Sequence, residues 1–329
     1  MKKLILFLGI GCFAVLPASA LADRVEVGKL VEEATWNNGA LEKTLLWEML
    51  QQPASPKALV VEVQAERKGT SGKEDVVFYA PAAKEIRQEA VLYLQTAWRE
   101  WRTSANAFLP KKYRLPEMYV TGNPADGGED LSAYVPIHYN VILRAEERVT
   151  NSKYERVTVV GRAGYYKDGS RSSMFLPILR NMERYFALTN AAKHARQDDA
   201  RSRLNWKAQM ALENYKKEAV DMLVELAEVP PEDVSEKISQ TDIDDMYRAN
   251  SFSPVVRIIR AVITHEFGHH LGLSHGASGT LMAPSPNERS SVSHVTDEDG
   301  RRLAVLVCFV HNHMPDAKET CKPYKRARK

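Results

Sequence analysis

The chain has 329 residues, of which 44% are hydrophobic and 26% charged, and its formal net charge is +3. This is the composition of an ordinary soluble globular protein, so it excludes a collagen-like chain, a multi-span membrane protein and a wholly disordered chain. The near balance of charges also argues against a dedicated nucleic-acid binder, which is usually far more basic. Three cysteines are too few for a scaffold built from disulfides.

Residues 1–22 have the features of a Sec-type signal peptide. Two early lysines precede an apolar run over 4–16, and small residues then permit cleavage after Ala20 or Ala22. The apolar run is short for a membrane span of about 20 residues, so cleavage is favoured over an uncleaved anchor. The sequence therefore predicts an exported protein, periplasmic or secreted, with no stable membrane span after cleavage.

Residues 23–75 are harder to assign, and they are either a propeptide or extension, or part of the fold. Within them, 59–63 favours a strand and 68–75 favours a turn or linker. A strand over 76–79 is followed by a long amphipathic helix over 82–108, whose apolar residues recur at helical spacing. We expect that apolar side of the helix to form part of the core.

Further strands are predicted at 118–121, 134–143 and 156–166. An Asp-Gly pair joins the last of these to an extended run over 172–179, which is typical of a β-hairpin. Residues 180–228 contain no proline or glycine and are rich in helix-forming residues, so they predict one long helix or two.

A buried helix is predicted from Ser253, as the N-cap, and Pro254, in the first turn, to Leu271. Its apolar residues extend around most of its circumference, yet its C-terminal end is polar. That end begins the segment 265–275, which reads His-Glu-Phe-Gly-His-His-Leu-Gly-Leu-Ser-His. Polar residues at the end of a buried helix indicate a functional site.

Two histidines of this segment, His265 and His269, stand four residues apart and project from one face of the helix. Their imidazole nitrogens suit Zn²⁺, and Gly272 allows a sharp turn that brings in His275 as a third ligand. Three protein ligands leave a fourth position for water, which is typical of catalytic zinc. Glu266 lies beside that open position and is the predicted general base for the zinc-activated water. We expect the neighbouring His270 to point away from the metal and to be hydrogen-bonded or solvated.

The segment 265–275 resembles the extended zinc signature of the metzincins, and 280–284 resembles their Met-turn. The Leu-Met-x-Pro form of that turn is most similar to the matrixin branch. The resemblance implies an α+β zincin-like fold, with a mixed twisted sheet, a backing helix and a zinc-binding active-site helix. A small C-terminal subdomain would hold the Met-turn, with Met282 beneath the zinc, and a closing helix with Thr296 as its N-cap.

The resemblance also implies a catalytic domain over 76–310 with a helical insertion at 180–250, followed by a basic tail over 311–329. Substrate would lie along an edge strand within 154–166. The pocket for the residue after the scissile bond would be walled by Pro284, Ser285 and Pro286. One catalytic Zn²⁺ is expected. A structural Ca²⁺ is compatible with the family, but no clear calcium motif supports it.

Two cysteines, Cys308 and Cys321, remain after signal cleavage, and in an oxidising compartment they are candidates for one disulfide. A reactive thiol or a metal ligand is the alternative.

The leading hypothesis is an exported zinc endopeptidase that acts on protein or peptide substrates. One alternative is a zinc amidase that acts on cell wall. Another is an envelope-associated, zinc-containing binding protein without proteolysis, against which Glu266 argues, because a structural zinc site does not need that carboxylate. No nucleic-acid partner is expected, and the sequence does not define an oligomeric state.

Overall fold

The computed structural model describes residues 42, 44–51, 55–71, 74–123, 130–143, 147–150, 156–159, 162–165, 172–175, 179–227, 254–284, 294–313 and 320–323. The predicted signal peptide and Ser253 lie outside these residues. None of the described helices is long and apolar enough to cross a membrane.

The described helices, numbered in chain order, are α1 (Leu45–Leu50), α2 (Lys84–Asn106), α3 (Arg180–Lys193), α4 (Asp198–Ala227), α5 (Pro254–His270) and α6 (Asp297–His313). A short 3₁₀ helix spans Lys111–Tyr113. The described strands are β1 (Lys57–Ser71), β2 (Glu74–Pro81), β3 (Met118–Gly122), β4 (Val135–Leu143), β5 (Glu147–Thr150), β6 (Arg156–Val159), β7 (Arg162–Tyr165) and β8 (Ser172–Phe175).

Six of these strands form one mixed sheet with β1 in its interior. Strand β4 pairs with β1 in parallel, from Lys57 opposite Val135 onward. The other side of β1 is shared by β3, parallel to its first half, and β2, antiparallel to its second half. Beyond β4 come β8, which is parallel to it, and β7, which is antiparallel to β8 and ends the strand order. Strands β5 and β6 form a separate hairpin.

Helices α2, α5 and α6 contribute to one hydrophobic core with the sheet. Trp101 of α2 is fully buried, and its indole N–H donates to the carbonyl of Thr264 in α5 at 2.8 Å. A Cβ atom at Gly300 of α6 would lie 2.8 Å from the carbonyl carbon of Ser104 in α2. Because a real Cβ almost never comes so close, glycine allows α6 to pack tightly against α2. This packing fixes the start of α6, which contacts the candidate site.

The α+β, zincin-like fold class predicted from the sequence is the one observed. The strands predicted at 59–63, 76–79, 118–121 and 134–143 overlap β1 to β4, and the β7–β8 pair corresponds to the predicted hairpin. The turn predicted over 68–75 was wrong for most of its length, because Lys68–Ser71 continue β1 and pair with β2. Backbone hydrogen bonds to the neighbouring strand override the weak local preference of these residues.

The segment predicted as a strand over 156–166 is divided between two sheets. Its first part, β6, pairs with β5, while its later part, β7, pairs with β8. The segment predicted as one or two helices is two, α3 and α4, which are separated at 194–197. Here the structure decides between alternatives that composition alone could not separate.

Strand β1 lies on the N-terminal side of the domain boundary predicted at residue 76, and it pairs with β2, which crosses that boundary. Helix α1, also before the boundary, has four residues in the core. The sheet and core are therefore continuous across residue 76. The division of the chain into domains stays a prediction.

The helical segment after β8 is attached to the sheet by polar contacts. Glu183 of α3 is almost fully buried and forms a bidentate pair with Arg67 of β1, with one contact of 2.7 Å. A second contact joins Asn190 of α3 to Glu85 of α2 at 3.3 Å. A paired, buried carboxylate is costly to disrupt, so these contacts fix α3 against the sheet and α2.

Glu89 on α2 provides a prediction about stability and pH. Its side chain is buried, its Oε2 atom has no hydrogen-bond partner within the part of the chain that the structure describes, and burial raises its pKa to about 8. The folded state therefore binds this proton more tightly than the unfolded state, whose pKa is near 4.5. The free energy of unfolding should therefore fall as the pH rises from 4.5 to about 8, by up to about 1.4 kcal/mol per pH unit.

We expect Glu89→Gln to flatten this pH dependence and to exceed the wild type in stability above pH 8, as measured by urea denaturation across the window. Glu117→Gln is the matched control, because Glu117 is exposed and its partner Arg102 lies at the surface. Parallel stability curves for Glu89→Gln and the wild type would show that Glu89 does not carry the proton.

Candidate metal centre

Helix α5 places the first two histidines of the motif, and it ends immediately after them. The amide of Gly272 donates to the carbonyl of His269 at 2.9 Å, and the amide of Leu273 donates to the carbonyl of Gly268 at 3.0 Å. Gly272 has a φ of 97°, in the left-handed region. These are the two hydrogen bonds and the glycine position of a Schellman C-cap, and they turn the chain back toward the helix.

This turn brings His275 to the other two histidines. The ring centroids of His265 and His269 are 4.7 Å apart, and those of His269 and His275 are 4.8 Å apart. The ligand atoms of all three rings lie within 4.8 Å of one another. His265 is buried, His269 half-buried and His275 exposed, so the cluster lies at the surface end of the helix. Among the residues that the structure describes, this is the one group of His, Cys, Asp or Glu arranged to hold a metal ion.

The hydrogen bonds of His265 and His269 fix which nitrogen each presents. Nδ1 of His265 contacts the carbonyl of Leu281 at 2.7 Å, and Nδ1 of His269 contacts the carbonyl of Leu273 at 2.7 Å. Because a carbonyl oxygen only accepts, each Nδ1 carries the proton and each neutral ring keeps its Nε2 lone pair. Both Nε2 atoms are therefore in the form that can bind a metal.

The two Nε2 atoms face each other at 3.1 Å. Two lone pairs at that distance repel unless a proton or a cation lies between them. In a tetrahedral zinc site with Zn–N bonds of 2.0–2.1 Å, two ligand nitrogens are about 3.3 Å apart. The donor type, the tautomers and the spacing therefore all fit Zn²⁺.

The carboxylate of Glu266 lies between this cluster and the edge of the sheet. Its side chain is largely buried, and its Oε2 atom accepts a hydrogen bond from the backbone N–H of Ala163 in β7 at 2.7 Å. The contact joins residues 103 positions apart in the sequence. It places the predicted general base next to a strand that ends the sheet.

The Met-turn packs against helix α5, which carries two of the histidines. Met282 is fully buried, and its carbonyl accepts from the amide of Gly276 at 2.6 Å. A Cβ atom at Gly268 would lie 2.6 Å from Sδ of Met282 and from a ring carbon of Trp101. Glycine at this position therefore lets α5 pack directly on the methionine and the tryptophan, and it fixes the height of the helix above the turn.

Sequence reasoning missed the contribution of Asp299 to this packing, because it considered only Thr296 at the start of the closing helix. Asp299 is fully buried and accepts from the amides of Leu281 and Met282 at 2.9 and 3.3 Å. Its own amide donates to the Oγ1 atom of Thr296 at 3.2 Å, as in a capping box. The Thr-x-x-Asp spacing was the available signal, but the contact with the Met-turn is not local.

The other predicted site residues have different outcomes. His270 is fully buried and hydrogen-bonded to the hydroxyl of Tyr139, consistent with a position away from the metal cluster. Pro284 is exposed, at the end of the Met-turn. The predictions for Ser285 and Pro286 fall outside the described residues, so their role in a pocket wall stays a prediction.

The structure joins Cys308 and Cys321 in a disulfide, and both residues are buried. Asn312 holds the backbone of Cys321 from both sides, donating to its carbonyl at 3.1 Å and accepting from its amide at 2.6 Å. The C-terminal segment is therefore attached to α6, whose first turn contacts the Met-turn.

Comparison with known proteins identifies one family. Residues 178–306 match the matrixin family, and the matched span contains the three histidines, Glu266 and the Met-turn. No curated protein and no solved structure matches the chain. The family match and the histidine cluster are together consistent with a metzincin zinc site of the matrixin type.

Proposed function

We propose that this protein is an exported zinc endopeptidase in which His265, His269 and His275 hold one Zn²⁺ and Glu266 is the general base. The observation that carries the proposal is the convergence of the three rings beside Glu266, with the tautomers of His265 and His269 fixed for metal binding. A structural site would bury a fourth protein ligand, whereas within the described residues this cluster consists of three histidines and has an exposed side.

Zn²⁺ held by His265, His269 and His275 would lower the pKa of a water molecule to about 7 and would polarise the carbonyl group of the substrate. Glu266 accepts a proton from the water as the water oxygen attacks the carbonyl carbon of the peptide. The carboxylic acid then donates that proton to the departing nitrogen, and the C–N bond breaks to give a carboxylic acid and an amine. The hydrogen bond from Ala163 holds one carboxylate oxygen and fixes the direction of the other.

Strand β7 is the surface on which we propose that substrate binds. It pairs with β8 along one side and ends the order of the described strands. An extended peptide that adds to the other side of β7 would run past Glu266, because Ala163 of the same strand contacts that carboxylate. A peptide held as an added strand is bound along its length, so cleavage within the chain is expected. Pro284, with Ser285 and Pro286, is proposed to wall the pocket beyond the scissile bond.

Export is proposed from the signal-like sequence over 1–22. The disulfide between Cys308 and Cys321 supports this proposal, since such bonds persist in oxidising compartments and are rare in the cytosol.

Metal removal tests the proposed function directly. We expect the purified protein to contain one zinc per chain by mass spectrometry and to convert casein into internal fragments. A zinc chelator should abolish both the zinc content and the cleavage, and added Zn²⁺ should restore them, because the proposed reaction requires the bound metal.

Three other outcomes would contradict the proposal. Bound zinc without cleavage of any protein substrate would favour a binding protein. Cleavage of cell-wall amides but not of casein would favour an amidase. Release of terminal residues alone would exclude an endopeptidase.

A further inference from the structure

The third histidine lies outside the helix that carries the other two. His265 and His269 are held by a helix and by carbonyl acceptors for Nδ1. His275 instead lies on an irregular segment after the helix, and its side chain is exposed. A zinc site that depends on three ligands requires something to hold this segment in place.

The side chain that reaches this segment is Arg302, from the second turn of α6. Arg302 is largely buried, and its Nη2 atom lies 3.3 Å from the carbonyl of Ser274, 3.1 Å from the hydroxyl of Ser274 and 3.2 Å from the carbonyl of His275. One charged nitrogen thus contacts the backbone on both sides of the His275 Cα atom. Hydrogen bonds with an ionised donor are stronger than neutral ones, so the contact is suited to holding a loop.

The next residue leaves space for this contact. A Cβ atom at Gly276 would lie 2.7 Å from the Nη1 atom of Arg302, so a larger side chain would displace the guanidinium. The amide of Gly276 is also held, by the carbonyl of Met282 at 2.6 Å. The backbone around His275 is therefore fixed at three successive residues, two of them by Arg302.

A buried guanidinium beside the histidine cluster carries an electrostatic cost. It has lost much of its hydration, and its charge repels a cation bound at the neighbouring histidine cluster. Asp299, one turn earlier on α6, uses its hydrogen bonds on the Met-turn and Thr296. The hydrogen bonds of Arg302 to the segment that carries the third ligand offset part of this cost.

We infer that Arg302 is a positioning residue for His275, and that it sets the zinc affinity and coordination geometry of the site. The inference rests on the proposed zinc site but not on peptide hydrolysis. Arg302 keeps the His275 segment in its metal-binding conformation before the metal arrives. Zinc binding then does not have to order this segment, and the zinc affinity is higher as a result. Residues that orient metal ligands in this way typically change metal affinity by 10–100-fold when replaced.

The test measures zinc affinity and ligand geometry in the full mature chain. We expect Arg302→Gln to bind zinc 10–100-fold more weakly than the wild type, in competition with a chromogenic chelator. The visible absorption spectrum of the Co²⁺-substituted protein should also change, because it reports the ligand geometry. The zinc affinity of Arg302→Lys should lie between those of the wild type and Arg302→Gln, since lysine keeps the charge but lacks the planar guanidinium.

Arg301→Gln is the matched control. Arg301 is the adjacent residue of α6, carries the same charge, and pairs with Glu298 at the surface at 3.0 Å. This variant should keep the wild-type zinc affinity and Co²⁺ spectrum. The melting temperature of each zinc-free variant measures any general loss of stability, and Arg302→Lys still tests the contact if Arg302→Gln does not fold.

Wild-type zinc affinity and an unchanged Co²⁺ spectrum in both Arg302 variants would overturn the inference, even if the zinc-free proteins were less stable. A wild type that binds zinc but hydrolyses no protein would refute the proposed function and leave this test valid. A wild type that binds no zinc would refute both.

Discussion

Replacement of Glu266 by glutamine is expected to reduce kcat/KM for peptide hydrolysis by about 10²–10⁴-fold and to leave one zinc bound per chain. Glutamine has the same shape and can still accept the hydrogen bond from Ala163 through its carbonyl oxygen. It cannot accept a proton from the attacking water, because an amide is not a base at neutral pH. The measurement is kcat/KM on a peptide derived from the casein cleavage sites, together with the zinc content of the same sample.

Glu298→Gln is the control for this experiment, because Glu298 is a surface carboxylate of α6 that pairs with Arg301. It should have wild-type activity and zinc content. Equal activity of Glu266→Gln and the wild type would show that Glu266 is not the base. Loss of zinc along with activity would show that the carboxylate maintains the site rather than moving a proton.

The metal cluster could be predicted from the sequence because its geometry is nearly local. The spacing of His265 and His269 on one helix fixes their common direction, and Gly272 marks the turn that returns His275. The resemblance to metzincins then supplied the Met-turn. In the structure Met282 packs against Gly268 of α5, and its place beneath a zinc ion stays a prediction. These features depend on contacts over fewer than about 20 residues.

The remaining features depend on contacts between distant parts of the chain. The interior position of β1 follows from pairing with β4, about 80 residues later, and strand pairing over such distances leaves no local signal. The buried pair of Arg67 and Glu183 joins residues 116 positions apart. Likewise, the hydrogen bond from Ala163 to Glu266 becomes visible only when β7 and α5 are placed together.

Replacement of His269 by alanine is expected to remove zinc from the protein and to lower its melting temperature to that of the zinc-free wild type. The variant lacks one of the three ligands, whose ring centroid lies 4.7 Å from that of His265 and 4.8 Å from that of His275. A ligand that binds only the folded state stabilises it, by about 4.1 kcal/mol at a free concentration 1,000 times the dissociation constant. That stabilisation should vanish, so a chelator that lowers the melting temperature of the wild type should leave the variant unchanged.

His194→Ala distinguishes loss of a ligand from loss of any histidine. His194 is exposed at the end of α3, and its Nδ1 atom contacts the carbonyl of Asn190 at 2.8 Å, far along the chain from the cluster. This control should keep its zinc and its response to the chelator. Wild-type zinc content in His269→Ala would refute the ligand assignment. A zinc-free His269→Ala that melts well below the zinc-free wild type would instead show that the imidazole, through its contact with the Leu273 carbonyl, supports the helix end independently of the metal.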